Sequence, residues 1–347
     1  MKVAVIGGGI SGLYSANLLC EKGYDVEIYE GGHWGGDIQT ATIENVCYPV
    51  STLFAMPDDD ILKGEFKKYN IGKGSNWSPY NKPIMGFLIF LFGISLGCSI
   101  LYNFKYLIGS IILLILLIII TYITGCSVLL GFGGDNKCGI KKVMTSIPYV
   151  YGYFDTFELM EDCEFSKLCL GYLNNPKISY VSYGVNNVQY NNGQYTVIAN
   201  NNKINKFDKV IIACGYESYS KIMNLTQEEK DILGKTKYFN FYTTLVKPND
   251  NSKNNMNFSN INGSIKLKDA MLFGSDKPLN ISTKDKIVKN FAWKMPINIG
   301  DMRINQKRKQ ILNNKVKNVY FIGKEMTDLN GVNYCMKYAK EIIDKYF

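Results

Sequence analysis

The feature that most constrains the fold is a glycine-rich turn near the start of the chain. Residues 2–6 are apolar after Lys2 and predict a short buried strand. Gly7-Gly8-Gly9-Ile10-Ser11-Gly12 follows, with glycines in the spacing G-x-G-x-x-G. A helical pattern then runs to Gly23, and a second strand is predicted over 25–29, just before Glu30. This strand–turn–helix–strand order predicts a dinucleotide-binding α/β unit.

Each part of such a unit has a physical role. Gly7 permits the tight turn, Gly9 lets the backbone approach a pyrophosphate, and Gly12 lets the helix pack closely on the strand. The start of the helix offers amide donors and the positive end of its dipole to phosphate groups. Glu30 is placed to accept hydrogen bonds from ribose hydroxyls. Together these features favour a bound dinucleotide over a glycine turn without a ligand.

The residues after Glu30 distinguish between dinucleotides. Gly35-Gly36-Asp37 comes next, and Thr40 lies three residues further on. This order resembles the second flavin-binding motif of the flavin-containing amine oxidases, in which a Gly-Gly pair, an Arg and a Thr follow the ribose-binding Glu. The glycine pair comes one residue early here. Asp37 stands where the family has Arg, and an acid at this position would repel phosphate.

A middle block resembles the same family. A strand is predicted over 177–182, and a hairpin with the tip Asn191-Asn192-Gly193 follows, with a third strand over 203–207. The segment 208–215 then predicts a buried strand ending in small residues. The resemblance implies that Val185 contacts adenine through its backbone and that Gly215 passes near the phosphates.

A third block lies near the carboxyl end. A strand predicted over 318–322 leads into Gly323-Lys324-Glu325, and Gly331 opens a final helix predicted over 334–345. In the family this turn meets the ribityl and phosphate groups, and the helix directs its N-terminus at the N1/O2 edge of the flavin. A simple NAD-dependent dehydrogenase is the alternative, but it needs no such cofactor-binding segment near the carboxyl end. The third block therefore disfavours it.

The resemblance implies FAD as the cofactor, hydride transfer from a C–N or C–C bond to flavin N5, and a small-molecule substrate. The residues implied in cofactor binding are Gly7, Gly9, Ile10, Ser11, Gly12, Glu30, Gly35, Gly36, Thr40, Val185, Gly215, Gly323, Glu325 and Val332.

No catalytic residue is identified from the sequence. Lys235 and Lys237 fall roughly where some amine oxidases hold a lysine near N5, although surface lysines are the more ordinary interpretation. His33 is the one histidine in the chain, so no multi-histidine metal site is expected. A segment beginning at Trp293 is interpreted as a core turn in preference to part of a substrate-binding strand.

Two long stretches without charge predict a membrane hairpin. Residues 84–102 and 107–132 contain no Asp, Glu, Lys or Arg, and each is long enough, or nearly so, for the roughly 20 residues that span a bilayer. A buried pair of core helices is the alternative. Lysines are more numerous before and after the pair than at its tip, which holds only Lys105. Because positive residues favour the cytoplasmic side, the flavin domain is expected to face the cytoplasm.

The predicted fold class is therefore α/β, with a Rossmann-like domain of the amine oxidase type, an α+β substrate domain and an inserted membrane hairpin. The Rossmann-like domain is expected to be discontinuous, over 1–50, 176–222 and 315–347. The substrate domain is expected over 51–83, 135–175 and 223–314, and the hairpin over 84–132. The position of the hairpin suggests a substrate mouth that opens toward lipid and an apolar substrate, but simple anchoring predicts the same sequence.

Charge and cysteine content bear on partners and compartment. The formal net charge of +9 comes from scattered lysines, which favours attraction to anionic lipid over nucleic-acid binding. The nine cysteines form no C-x-x-C pair, so reduced and mostly buried thiols are expected, including Cys47 and Cys335. Two other functional classes stay open: a catalytically silent FAD-binding membrane protein and a flavin-dependent isomerase or mutase.

Overall fold

The computed structural model describes most of the chain outside one long internal stretch. The described residues are 1–55, 60–77, 157–248, 263–275, 277–281, 286–296, 302–313, 318–327 and 331–347, together with residues 94, 96, 111, 112 and 115.

The centre of the molecule is a five-stranded parallel sheet. Its strands are β1 (Lys2–Ile6), β2 (Asp25–Tyr29), β8 (Ile178–Val181), β12 (Lys209–Ile212) and β17 (Val319–Phe321), in the spatial order β17-β12-β1-β2-β8. All neighbouring pairs in this sheet run parallel. Because both faces of a parallel sheet are covered, most residues of these strands are buried, and Val3, Ala4 and Val5 are fully buried.

Two helices from opposite ends of the chain pack together beside this sheet. Helix α1 (Ile10–Glu21) connects β1 to β2, and helix α7 (Val332–Tyr346) packs against it. α7 buries one face, which includes Met336, Ala339 and Ile343 at helical spacing. The final helix predicted over 334–345 is present, and it begins two residues earlier than predicted, at Val332.

The middle block folds as predicted. Strand β8 is followed by an antiparallel meander of β9 (Val185–Asn191), β10 (Gln194–Ala199) and β11 (Ile204–Phe207), and then by β12. The tip of the first hairpin has positive φ at Asn192 (50°) and Gly193 (84°). This is the geometry that favours an Asn-Gly pair in a two-residue turn.

A separate four-stranded antiparallel sheet faces the parallel one across a cleft. It contains β13 (Tyr238–Pro248), β14 (Gly263–Leu267), β15 (Ala270–Ser275) and β16 (Lys286–Pro296), in the order β14-β15-β13-β16. β13 and β16 pair along their whole length, from Tyr238 opposite Pro296 to Pro248 opposite Lys286. Trp293 therefore lies in a strand, and the interpretation of its segment as a core turn was wrong.

Short elements connect these layers. The described ones are β3 (Thr40–Ile43), β4 (Val46–Pro49), β5 (Phe54–Ala55), β6 (Ser75–Trp77), β7 (Phe157–Leu159), α2 (Asp60–Lys68), α3 (Glu164–Leu173), α4 (Tyr216–Ile222), α5 (Gln227–Leu233), α6 (Met302–Leu312) and the 3₁₀ helix Lys324–Met326.

The expectation of reduced thiols throughout was wrong for two cysteines. Cys47 in β4 and Cys163 just before α3 form a disulfide, with their Cα atoms 6.4 Å apart. Sequence could not indicate this pair, because 116 positions separate the two cysteines and only the fold brings β4 beside the start of α3. The other described cysteines, at positions 20, 169, 214 and 335, are free thiols.

The membrane hairpin predicted over 84–132 lies outside the described residues, apart from five positions. Those five, Ile94, Leu96, Ile111, Ile112 and Ile115, are helical, and their side chains are 39–53% exposed. Within the part of the chain that the structure describes, no helix combines the length and the apolar character needed to cross a bilayer.

Candidate active site

One cleft collects the segments that follow the central strands. It has a cavity volume of about 440 Å³, within the usual range of small-molecule sites. Gly7 follows β1, Glu30 follows β2, Cys214 and Gly215 follow β12, and Gly323 follows β17, and all of them line the cavity. A ligand site outside the carboxyl ends of parallel strands is the position that this sheet architecture favours.

The glycine-rich turn has the close packing that its spacing predicts. Gly7 has φ +113°, and a Cβ placed on it would lie 2.7 Å from the backbone carbon of Ala213. A Cβ on Gly12 would lie 1.9 Å from the carbonyl oxygen of Gly7. Gly9 caps α1 and has no side chain that could bond to the first amides of the helix. The first amides of α1 are therefore available to an anion from the cleft.

Glu30 is fixed at the end of β2 by two backbone amides. The Gly8 amide donates to its Oε2 at 2.6 Å, and the Gly32 amide donates to its Oε1 at 2.6 Å. These contacts orient the carboxylate at the edge of the cleft beside the glycine-rich turn. A carboxylate can accept further hydrogen bonds on each oxygen, so the ribose hydroxyls expected here have acceptors.

The Gly35–Gly36 loop lies directly on the glycine-rich turn. Both glycines have positive φ, 96° and 61°. The Gly35 amide donates to the Gly8 carbonyl at 2.8 Å. A Cβ on Gly36 would lie 3.0 Å from Cα of Gly9, so a side chain at Gly36 would crowd the turn. The two glycine segments form a single backbone-lined cradle.

The turn after β17 supplies a buried carboxyl group. Glu325 is 6% exposed and lines the cleft. Its carboxylate accepts hydrogen bonds from the Tyr238 hydroxyl and from the Tyr216 amide, the latter at 2.8 Å. Arg308 donates to the Glu325 carbonyl at 2.7 Å. Burial raises the pKa of Glu325 above its usual value, although these hydrogen bonds oppose the shift.

Helix α7 directs its N-terminus at the same cleft. Gly331 caps this helix, and no side-chain cap is present among the described residues. Val332 and Cys335, in its first turn, line the cavity. Burial raises the pKa of the Cys335 thiol to about 11 and that of the Cys214 thiol to about 12. Both thiols are therefore protonated near neutral pH and are poor nucleophiles.

The antiparallel sheet supplies an aromatic wall opposite these loops. Tyr238 and Phe241 from β13 and Trp293 from β16 line the cleft. The indole of Trp293 donates to the Thr243 hydroxyl at 2.9 Å, which fixes the ring. Tyr238 and Phe241 were not identified from the sequence. The alternation of polar and aromatic residues in β13 predicts a strand. It does not indicate which face of that strand lines the cleft.

Eleven of the fourteen residues implied in cofactor binding line this cleft. Gly12 lies behind the turn in a packing role, Thr40 begins β3, and Val185 begins β9, all outside the lining. Lys235 and Lys237 are exposed and do not line the cavity, and His33 is also exposed. Lys294 and Lys324 line it instead.

Comparison with known proteins agrees with this geometry. Residues 5–67 match the NAD(P)-binding Rossmann-like domain. Along 99% of its length the chain superposes on the wild-type putrescine oxidase bound to putrescine, with a TM-score of 0.64, 11% identity and 99% of that chain covered. The chain has the α/β Rossmann-like fold of that oxidase. The predicted fold class is confirmed to that extent.

Two further solved structures share the fold over 99% of this chain and 98% of their own. A protein from Exiguobacterium sp. 255-15 assigned as protoporphyrinogen oxidase has a TM-score of 0.67 and 11% identity. A fatty acid isomerase from P. acnes that produces CLA has a TM-score of 0.67 and 12% identity. No curated protein sequence matches the chain.

The cleft residues fit FAD. The cradle formed by Gly9 and Gly36 presents backbone to the cleft, and a Cβ on Gly36 would lie 3.0 Å from Cα of Gly9. Two helices, α1 and α7, begin at the cavity with glycine caps, and Glu30, the residue expected to hold a ribose, lines the same cavity. The aromatic wall closes the far side.

Proposed function

We propose that this chain is an FAD-dependent oxidoreductase that removes a hydride from a C–N or C–C bond of a small molecule. The observation that carries the proposal is the convergence of three segments, distant in sequence, on one cleft. They are the turn at Gly7–Gly12, the Gly35–Gly36 loop and the turn at Gly323–Glu325. A Rossmann-like turn alone would also suit NAD, but the second and third segments resemble the flavin-binding pattern, with Asp37 in place of its Arg.

Different residues of the cleft would bind different parts of the cofactor. The amides at the start of α1 and the glycine cradle would hold the diphosphate, and Glu30 would hold the ribose. The positive end of α7 would face the part of the flavin that gains charge on reduction. FAD, when bound, supplies the acceptor for the hydride. Tyr238, Phe241 and Trp293 would pack against the substrate and exclude water.

We also propose that the protein attaches to a membrane through residues 84–132. The support is the absence of charge from 84–102 and 107–132. In addition, the five described residues of this region are helical, and their apolar side chains are 39–53% exposed. The distribution of lysines favours a cytoplasmic position for the FAD domain. An apolar substrate that dissolves in lipid is consistent with this placement.

A flavin-dependent isomerase is the second candidate. It is favoured by the likeness to a fatty acid isomerase, whose TM-score of 0.67 is as high as that of the protein assigned as protoporphyrinogen oxidase. Exposed apolar residues in the inserted region suit an acyl substrate under either function.

Absorption spectroscopy of the detergent-purified protein tests both candidates. An oxidoreductase shows flavin bands that bleach when substrate is added without oxygen and return with an electron acceptor. An isomerase converts a candidate fatty acid with no lasting bleaching. A silent protein shows bands that bleach only with dithionite. A colourless protein that cannot be reconstituted with FAD contradicts all three.

A further inference from the structure

The disulfide between Cys47 and Cys163 joins two segments that both contact the Gly35–Gly36 loop. Cys47 belongs to β4, which pairs with β3 soon after this loop, and Cys163 directly precedes α3. The resemblance described above assigns the loop to the cofactor, and its two glycines line the cleft. Each cysteine is connected to the loop by contacts of its own.

The first connection runs from Cys163 through α3. Cys163 caps this helix and has φ 60°, a left-handed conformation that residues other than glycine adopt only with strain. Two turns into the helix, Cys169 is 4% exposed, and a Cβ placed on Gly35 would lie 3.6 Å from its Sγ. The helix whose first end the disulfide fixes therefore packs on the backbone of the loop.

The second connection runs from Cys47 along β4. Just beyond this strand, the Val50 amide donates to the Gln39 carbonyl at 3.1 Å. The Ser51 hydroxyl accepts from the Gln39 amide at 3.2 Å and donates to the Asp37 carbonyl. Asp37 directly follows the glycine pair. The chain three and four residues after Cys47 therefore holds the carboxyl end of the loop.

The two cysteines differ in accessibility. Cys47 is half-buried and Cys163 is 4% exposed, so Cys47 is the more accessible point of attack for a small thiol. Burial raises the pKa of the nearby Cys169 thiol to about 12. Cys169 therefore stays protonated near neutral pH and is a poor partner for exchange with this bond.

The proposed compartment bears on the role of the bond. Disulfides are rare in the reducing cytosol, and those that form there are usually redox-sensing or catalytic. A permanent structural bond is therefore the less expected role for a domain that faces the cytoplasm.

Given the FAD site and the cytoplasmic position proposed above, we infer that the Cys47–Cys163 bond is a reversible redox switch of cofactor binding. The formed bond fixes the start of α3 against β4, and through both segments it holds the Gly35–Gly36 loop in its binding geometry. Reduction frees Cys163 from its left-handed conformation and lets α3 and β4 move apart. The chain then binds FAD more weakly.

The chemical step is thiol–disulfide exchange with a small thiol such as glutathione. One glutathione thiolate attacks Sγ of Cys47, the bond to Cys163 breaks, and Cys163 leaves and takes up a proton. A second glutathione attacks the mixed disulfide on Cys47 and releases that residue as a thiol together with glutathione disulfide. Two glutathione molecules are thus oxidised as the protein gains two thiols, and glutathione disulfide drives the reverse reaction.

The test uses the full-length, detergent-purified chain, freed of flavin and poised in buffers of different ratios of glutathione to glutathione disulfide. FAD is titrated by fluorescence quenching, mass spectrometry measures the state of the bond, and circular dichroism checks that the chain stays folded. The variants are Cys47→Ser, Cys163→Ser and the double variant. Cys20→Ser is the matched control, because Cys20 is a free, half-buried thiol that does not line the cleft.

Reduction of wild type should raise the Kd for FAD by about 5- to 150-fold, the usual range of coupling between two sites. Cys47→Ser, Cys163→Ser and the double variant should show the raised Kd in every buffer. Cys20→Ser should respond to glutathione as wild type does. By linkage, saturating FAD should shift the glutathione ratio at which half of the bond is formed, by the same factor as the Kd.

Four results overturn the inference. The Kd for FAD is equal in the oxidised and the reduced wild type. The redox dependence persists in Cys47→Ser, so another thiol causes it. Reduction unfolds the chain, so the bond has a role in stability alone. The bond fails to form at any glutathione ratio. A wild-type chain that binds no FAD in either state overturns the proposed function itself, whereas equal binding in both states overturns only the switch.

Discussion

Substitution of Gly12 by Ala is the strongest test of the packing beneath the candidate cofactor site. The added methyl carbon would lie 1.9 Å from the Gly7 carbonyl oxygen and 3.3 Å from Cβ of Ala213, against ordinary contacts of 3.4–4 Å. The helix and the turn would have to separate by about 1.5 Å, and overpacking of this kind costs about 1–3 kcal/mol or more. We expect a lower melting temperature and weaker FAD binding.

Gly64→Ala is the matched control. Gly64 lies within α2, and a Cβ there meets nothing within 4 Å. Because Ala favours helix over Gly, this variant should be more stable by about 0.5–1 kcal/mol. Thermal unfolding followed by circular dichroism, with FAD titration in parallel, measures both. If Gly12→Ala melts at the wild-type temperature, the close contact of helix and turn described above does not exist in solution.

Three further predictions concern proton binding, the disulfide and the membrane. Burial raises the pKa of Glu325 above the ordinary 4.5, so the folded state binds more protons at this group than the unfolded state does. The contribution of Glu325 to stability therefore falls as pH rises above that value. Glu325→Gln should remove this part of the pH dependence of unfolding, and an unchanged dependence on pH would contradict the assignment. Cys47→Ser should lower stability by about 2–5 kcal/mol, and dithiothreitol should destabilise wild type but not this variant, in which the bond to Cys163 is absent. Ile112→Lys should weaken flotation with anionic vesicles, because a lysine at the bilayer centre costs about 2.5–3.5 kcal/mol. The control is Ile204→Lys on β11, where the side chain is 61% exposed, and this variant should float as wild type does. Equal flotation of the two variants would argue against attachment through residues 84–132.

Local signals were enough to predict the central sheet. The glycine spacing at 7, 9 and 12, the Asn-Gly hairpin tip and the apolar runs before Gly215 and Gly323 each report on a few neighbouring residues. The structure places most of the corresponding strands within one or two residues of the expected bounds, but β12 ends at Ile212, three residues before Gly215. Propensity and turn geometry act locally, so a single sequence contains this information.

The contacts that complete the site are not local. Tyr238 reaches Glu325 across 87 positions, and Lys324 reaches Asp37 across 287. Neither pair has a sequence pattern, because each depends on how the antiparallel sheet and the final turn sit against the first loop. From the sequence, Asp37 was expected to repel phosphate, because Lys324, the cation that pairs with it, is distant in sequence.

The order of strands in the parallel sheet has a consequence for truncation. β17 lies beside β12, β12 lies beside β1, and α7 packs on α1, so residues 318–347 complete layers that residues 2–21 begin. Removal of 318–347 would take away both β17 and α7. It would leave β12 and α1 without these neighbours, although both of those elements would keep their full sequence.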